Sequence, residues 1–123
     1  MCILCCDKNY DNTIQYLDIS HCIYVNELPE DLINLKELNC DDCPNLISIP
    51  ELPNLTILRS YNCPKLTNIP KSVIILNCSF CTSLEYVPDN VKYLKCVNCT
   101  NLKKIPLNTI ELFAMNCPKL FSE

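Results

Sequence analysis

The chain has 123 residues, 12 cysteines, one histidine, no glycine and a net charge of -4 from 10 basic and 14 acidic residues. That length suits one domain, and the acidic balance argues against a general nucleic-acid or anionic-membrane binder, which would carry a basic stripe. Without glycine there is no phosphate loop, dinucleotide fingerprint or familiar serine elbow, and with His21 alone there is no paired-histidine metalloenzyme motif.

No nucleophile–base pair and no cleft-forming insertion stand out, so neither an enzyme nor a cofactor is expected. No apolar run approaches the roughly 18 residues that span a bilayer. The opening MCILCCDKNYDN has no basic n-region and too short an apolar core for a secretion signal. The expected setting is intracellular and cytoplasmic, where thiols stay reduced.

Residues 1–13 precede the periodic part of the chain. A short apolar run, Cys2–Cys6, and a polar turn are expected to cover the open end of the core, as terminal units of repeat proteins do. The functional alternative is a redox-active or metal-binding cluster of Cys2, Cys5 and Cys6.

From Ile14 onward one pattern recurs in six units: 14–34, 35–54, 55–72, 73–90, 91–108 and a truncated 109–123. Numbering each unit from its first apolar residue, position 4 is Leu17, Leu38, Leu58, Leu76, Leu94 and Leu112. Position 6 is Ile19, Cys40, Ser60, Cys78, Cys96 and Ala114, and position 9 is Cys22, Cys43, Cys63, Cys81, Cys99 and Cys117. Position 12 is Val25 and then leucine, and an apolar residue followed by proline closes the unit at positions 15 and 16, as in Ile49-Pro50.

Positions 4 and 6 alternate with polar neighbours, the period of a short strand with one face buried. Beyond position 9 apolar residues come every three, which suits an extended or 3₁₀-like path. Proline fixes φ and pushes the residue before it into the β or polyproline region, so no α-helix fits the return leg. Pro29–Asn34 is the expected exception, where extra residues leave room for one helical turn. A single coil cannot bury its own apolar edge. Six stacked coils build a continuous core and a parallel sheet of short strands, a solenoid about 25–30 Å long.

The pattern LxxLxCxxCxxLxxIP resembles the leucine-rich repeat across about 110 of the 123 residues. The resemblance implies a β-rich right-handed solenoid with its sheet on the concave face and little α-helix. Short units such as Ile49–Leu58 are similar to repeats of bacterial effectors. The Cys-Pro/Thr-x-Leu-x-x-Ile-Pro half is similar to repeats of plant resistance receptors. The 18-residue units fall below the family's usual range, and the catalytic or nucleotide-binding domains of those relatives have no counterpart here. The 15 asparagines and 13 isoleucines suggest an AT-rich genome, such as that of a protist or a giant virus, which would put the protein in a host cytoplasm.

Four Cys-x-x-Cys pairs occur: Cys2/Cys5, Cys40/Cys43, Cys78/Cys81 and Cys96/Cys99. The last two have a spacing close to a four-cysteine zinc ribbon. The repeat favours another reading, in which positions 6 and 9 face inward and the position-9 thiol bonds to backbone at the corner after the strand. Buried thiols of that kind are poor nucleophiles, so no metal, no disulfide and no catalytic cysteine is expected among them.

Function is expected on outward side chains at positions 2, 3, 5, 7 and 8. Tyr16 and Asp18 lie on the first strand, where Asp18, Glu37, Asp41 and Asp42 make the first two coils acidic. Beyond them runs a band of apolar and aromatic residues, Ile57, Tyr61, Ile75, Phe80, Tyr93, Val97, Phe113 and Met115, with Arg59 and Lys95 between them. Apolar patches rimmed by charge mark contact sites, and Tyr and Arg are favoured anchors. These residues predict a non-enzymatic surface that binds a partner protein, with no nucleic acid and no membrane involved. The alternatives are a self-assembling protein that dimerises through an unpaired edge near Ile110–Phe113, and a zinc or thiol protein.

Overall fold

The computed structural model describes residues 10–120. Cys2, Cys5 and Cys6 of the expected cap, and residues 121–123, lie outside the described residues. Each repeat contributes one strand: β1 (Tyr16–Asp18), β2 (Glu37–Asn39), β3 (Ile57–Arg59), β4 (Ile75–Asn77), β5 (Tyr93–Val97) and β6 (Glu111–Met115). They form one parallel sheet in sequence order. The chain is thus a parallel β-solenoid of six turns, without a helix among the described residues.

The register matches residue type to residue type. Leu17, Leu38, Leu58, Leu76, Leu94 and Leu112 pair in a row, so position 4 forms a leucine column. A slip of one residue would turn every leucine to the other face. Positions 1, 6, 9, 12 and 15 add parallel columns whose apolar members join one buried cluster, with the polar Ser60 and Thr109 as exceptions. Each fully buried Leu or Ile contributes roughly 1.5–3 kcal/mol relative to exposure. Leu112, on the last strand, is still 46 % exposed, because no coil stacks beyond it among the described residues.

The return legs consist of extended backbone and isolated turns. In Cys43-Pro44-Asn45-Leu46 the Leu46 N–H donates to the Cys43 carbonyl at 3.3 Å. Proline at the second turn position presets the φ that such a turn needs. A second turn follows the Ile-Pro pair, where the Val73 N–H donates to the Pro70 carbonyl at 3.3 Å. The expected helical turn at Pro29–Asn34 does not form. A turn closed by the Leu35 N–H on the Leu32 carbonyl takes its place (3.2 Å), and the Asn34 amide is drawn away to the Asn12 carbonyl (3.2 Å). Burial of Leu32 and Leu35 favours this arrangement, since both enter the core.

Side chains seal the coil-to-coil contacts. As the repeat predicts, the position-9 thiol reaches backbone in the coil before it. Cys43, Cys63, Cys81, Cys99 and Cys117 donate to the carbonyls of Ile19, Cys40, Ser60, Cys78 and Cys96 at 2.9–3.1 Å. The amides of Asn45 and Asn101 likewise donate to the preceding coil, at Ile23 and Thr82. The asparagines that end the units do the same at Asn54 and Asn90. Every buried side-chain polar atom among the described residues has a partner, as a stable interior demands.

Position 8 carries an unforeseen feature. His21, Asp42, Asn62, Phe80, Asn98 and Asn116 all have φ between 56° and 63°. The left-handed region disfavours a Cβ, and Asn, Asp and His tolerate it best after glycine. With no glycine in the chain, these residues turn each coil off the sheet. They also stack: Asn62 Nδ2 donates to Asp42 Oδ1 at 2.9 Å, Asn116 Nδ2 donates to Asn98 Oδ1, and His21 Nδ1 lies 3.3 Å from Asp42 Oδ2. Phe80 interrupts this polar column and is the one large apolar residue held in that conformation among the described residues.

Candidate functional site on the exposed sheet face

Residues at positions 3, 5 and 7 leave the sheet on the side opposite the leucine column. Between β3 and β6 this face encloses a shallow concavity of about 560 Å³. Six of the ten side chains singled out in the sequence line it: Ile57, Arg59, Ile75, Tyr93, Lys95 and Phe113. Tyr61 and Phe80 sit beyond the strand ends and pack edge to face, with ring centroids 5.3 Å apart at 65°. Tyr16 and Asp18 lie on β1, two strands from the concavity, and are not brought into it. Asn77 and Glu111 also line it, although nothing in their residue type distinguishes them.

The position-5 residues of the first five coils divide into two kinds. In coils one, two and four the residue is Asp18, Asn39 or Asn77, and its Oδ1 accepts the N–H of position 7 in the same coil: Ser20 at 2.9 Å, Asp41 at 3.0 Å and Ser79 at 3.1 Å. In coils three and five it is Arg59 or Lys95, neither of which can accept. There the N–H of position 7 is satisfied from the coil before. Asp41 Oδ1 accepts the Tyr61 N–H at 2.9 Å, and Ser79 Oγ accepts the Val97 N–H at 3.1 Å.

That substitution corrects one expectation. Ser79 was expected on the exposed surface with the rest of position 7, yet it is 1 % exposed. Its hydroxyl is taken up by the Val97 backbone. A polar residue at position 7 one coil ahead of a cation at position 5 is the sequence signal that marks the exchange. The outcome is that Arg59 and Lys95 stand free of backbone duties on a half-apolar surface.

The electrostatics follow from these contacts. Hydrogen bonds from Ser20 hold the Asp18 carboxyl below the usual carboxylate range. Lys95 Nζ lies 5.7 Å from the centre of the Phe113 ring, within cation–π reach. The face therefore runs from acidic on β1 and β2 to cationic and aromatic on β3, β5 and β6, with the Glu111 carboxylate of β6 at the far side of the concavity.

The nine described cysteines are buried, and no disulfide joins any two of them. Interaction with a neighbouring thiol, followed by burial, raises the pKa of Cys63, Cys78 and Cys81, and burial raises Cys96 and Cys117. Cys78, Cys81, Cys96 and Cys99, the pairs with ribbon-like spacing, all face the interior, where Cys81 and Cys99 donate to backbone carbonyls. Among the described residues no three His, Cys, Asp or Glu side chains come together in a metal-holding group. No helix among them is long and apolar enough to cross a membrane.

No protein-family model matches the chain, and no curated protein matches its sequence.

Proposed function

We propose that this is a leucine-rich repeat protein that acts without catalysis, in the cytoplasm, by binding a partner protein on its exposed sheet face. The observation that carries the reading is the concavity between β3 and β6, where Ile57, Ile75, Tyr93 and Phe113 surround two cations not engaged with backbone. Ile75 is 43 % and Phe113 52 % exposed. Large apolar side chains left in water beside Arg and Tyr are the usual anchors of an interface. The test is site-specific crosslinking from position 75 in native cytosol. A discrete adduct that disappears when Tyr93→Ala and Phe113→Ala are combined supports the reading. An adduct that those changes leave intact, or none at all, sinks it.

A second reading has its own support. Leu112 belongs to the core column yet is half exposed, and the outer edge of β6 has no neighbour among the described residues. Such an edge is a template for another strand, and two copies related by a two-fold axis could each supply it. Sedimentation of the wild type and of Phe113→Lys separates the readings. A dimer that the substitution dissolves favours the edge, whereas a monomer in both cases favours the face alone.

A further inference from the structure

Resting on the proposed use of the sheet face, we propose that its ligand is a polyproline II segment of a partner protein carrying a charged residue at every third position, in the order base, acid, acid.

The spacing of charge along position 5 leads to this. Along position 5 the rungs read Asp18, Asn39, Arg59, Asn77, Lys95 and Phe113 across β1 to β6. At this position charge occurs on alternate strands, β1, β3 and β5, with the neutral Asn39 and Asn77 between; Asp18 caps the Ser20 N–H with one oxygen as they cap theirs, but keeps its carboxylate charge. Neighbouring strands lie about 4.8 Å apart, so the charged rungs recur at about 9.6 Å. A polyproline II helix advances about 3.1 Å per residue and returns to the same face after three, a repeat of about 9.3 Å. An extended β-strand covers a similar distance in three residues, but its third side chain points to the opposite face. Only the polyproline path keeps every third side chain on the sheet.

Charge sets the order. Arg59 and Lys95 ask for carboxylates three residues apart, and Asp18 asks for a cation three residues further on. Beside that row, position 3 offers Ile57, Ile75 and Tyr93 in succession, an apolar strip for proline rings. Aromatic-lined grooves suit this helix because it is preformed and loses little entropy on docking.

The test is fluorescence anisotropy with labelled synthetic proline-rich peptides of about 12 residues. One peptide carries lysine, glutamate and glutamate at intervals of three. A second has the same composition at intervals of two. A third exchanges the signs of the charges. The proteins are the full chain, Arg59→Glu, Lys95→Glu, the double variant and Ile75→Arg, all exposed positions whose fold is checked by circular dichroism.

The interval-of-three peptide should bind the wild type about tenfold more tightly than its isomer. Each single reversal should weaken it about fivefold, and the double variant should come to prefer the sign-exchanged peptide. Raised salt should weaken binding, as screening of exposed charges requires. Equal affinity for both intervals, or no binding of any peptide to the folded protein, overturns the inference. If Ile75→Arg abolishes binding while the interval has no effect, the face survives and the register falls. If peptides bind and neither Ile75→Arg nor the reversals matter, the sheet face falls with it.

Discussion

Ser79 Oγ accepts the Val97 N–H at 3.1 Å from a fully buried position. That contact allows Lys95 to occupy a position where an asparagine would otherwise cap the same N–H, as Asn77 caps Ser79. Ser79→Ala leaves the Val97 donor without its partner and should cost about 2 kcal/mol. Adding Lys95→Asn to Ser79→Ala should return about 1 kcal/mol, since an amide at 95 can take over the donor. Urea unfolding of the two single variants and the double variant measures the coupling. Strict additivity would mean that the two side chains do not share this duty.

The thiol column carries its own test. Cys63 is buried, and its Sγ donates to the Cys40 carbonyl at 3.0 Å. Cys63→Ala removes both the bond and a sulfur's worth of packing, so unfolding free energy should fall by about 2–3 kcal/mol. A loss below about 0.5 kcal/mol, the range of ordinary surface changes, would show that the column does not bind coil to coil.

Alkaline pH should unfold the protein steeply. The thiols of Cys40, Cys63, Cys78, Cys81, Cys96 and Cys117 are raised in the folded state, while that of Cys99, through its contact with Cys78, is lowered and opposes them. Their contribution is fully present below the unfolded thiol pKa of about 8.5 and is lost as pH rises towards the folded values. Each thiol that ionises only on unfolding removes about 1.4 kcal/mol per pH unit above that point. Chemical denaturation at a series of pH values in reducing buffer should give a midpoint falling sharply from pH 9 upward. A flat profile to pH 10 would contradict it.

Phe80 tests the position-8 column. Its φ of 62° suits Asn better than a bulky side chain. Phe80→Asn also forfeits the edge-to-face contact with Tyr61, worth about 0.5–1.5 kcal/mol. In a Tyr61→Ala background that contact is already gone, so Phe80→Asn should stabilise by about 1 kcal/mol. Thermal melts of the Tyr61→Ala protein with and without the change decide it. A lower midpoint in the double variant would show that Phe80 is not strained. Backbone strain held at one coil of six marks a place where something other than stability selects the residue.

The columns at positions 4, 6, 9 and 12 were legible because a solenoid repeats its solution and the residues repeat with it. Cys63 and Leu58 could be placed inside from spacing alone. The left-handed turns were not seen, because the usual sign is glycine and the chain has none. The sign present was an Asn, Asp or His ahead of the invariant cysteine, read instead as part of an outward row. Ser79 was misplaced for a related reason: its burial depends on Lys95 one coil later, a dependence that a single repeat cannot display. At Pro29–Asn34 the extra residues suggested helix, but Leu32 and Leu35 enter the core and a turn suffices. Of the site, the strand residues Ile57 to Phe113 fell together as read. Tyr16 and Asp18 are separated from them by β2, a distance that the residue types do not convey.

The position-9 thiols of coils two to six, and the amides of Asn45 and Asn101, each serve the coil before their own. Coils one to five thus each offer the carbonyl of position 6 to the thiol of the next. A duplicated coil finds the seam already matched on both sides, so the chain can lengthen in steps of about 4.8 Å without redesign of the interior. Reach becomes a quantity that gene duplication can adjust one unit at a time, while the exposed rungs diversify independently.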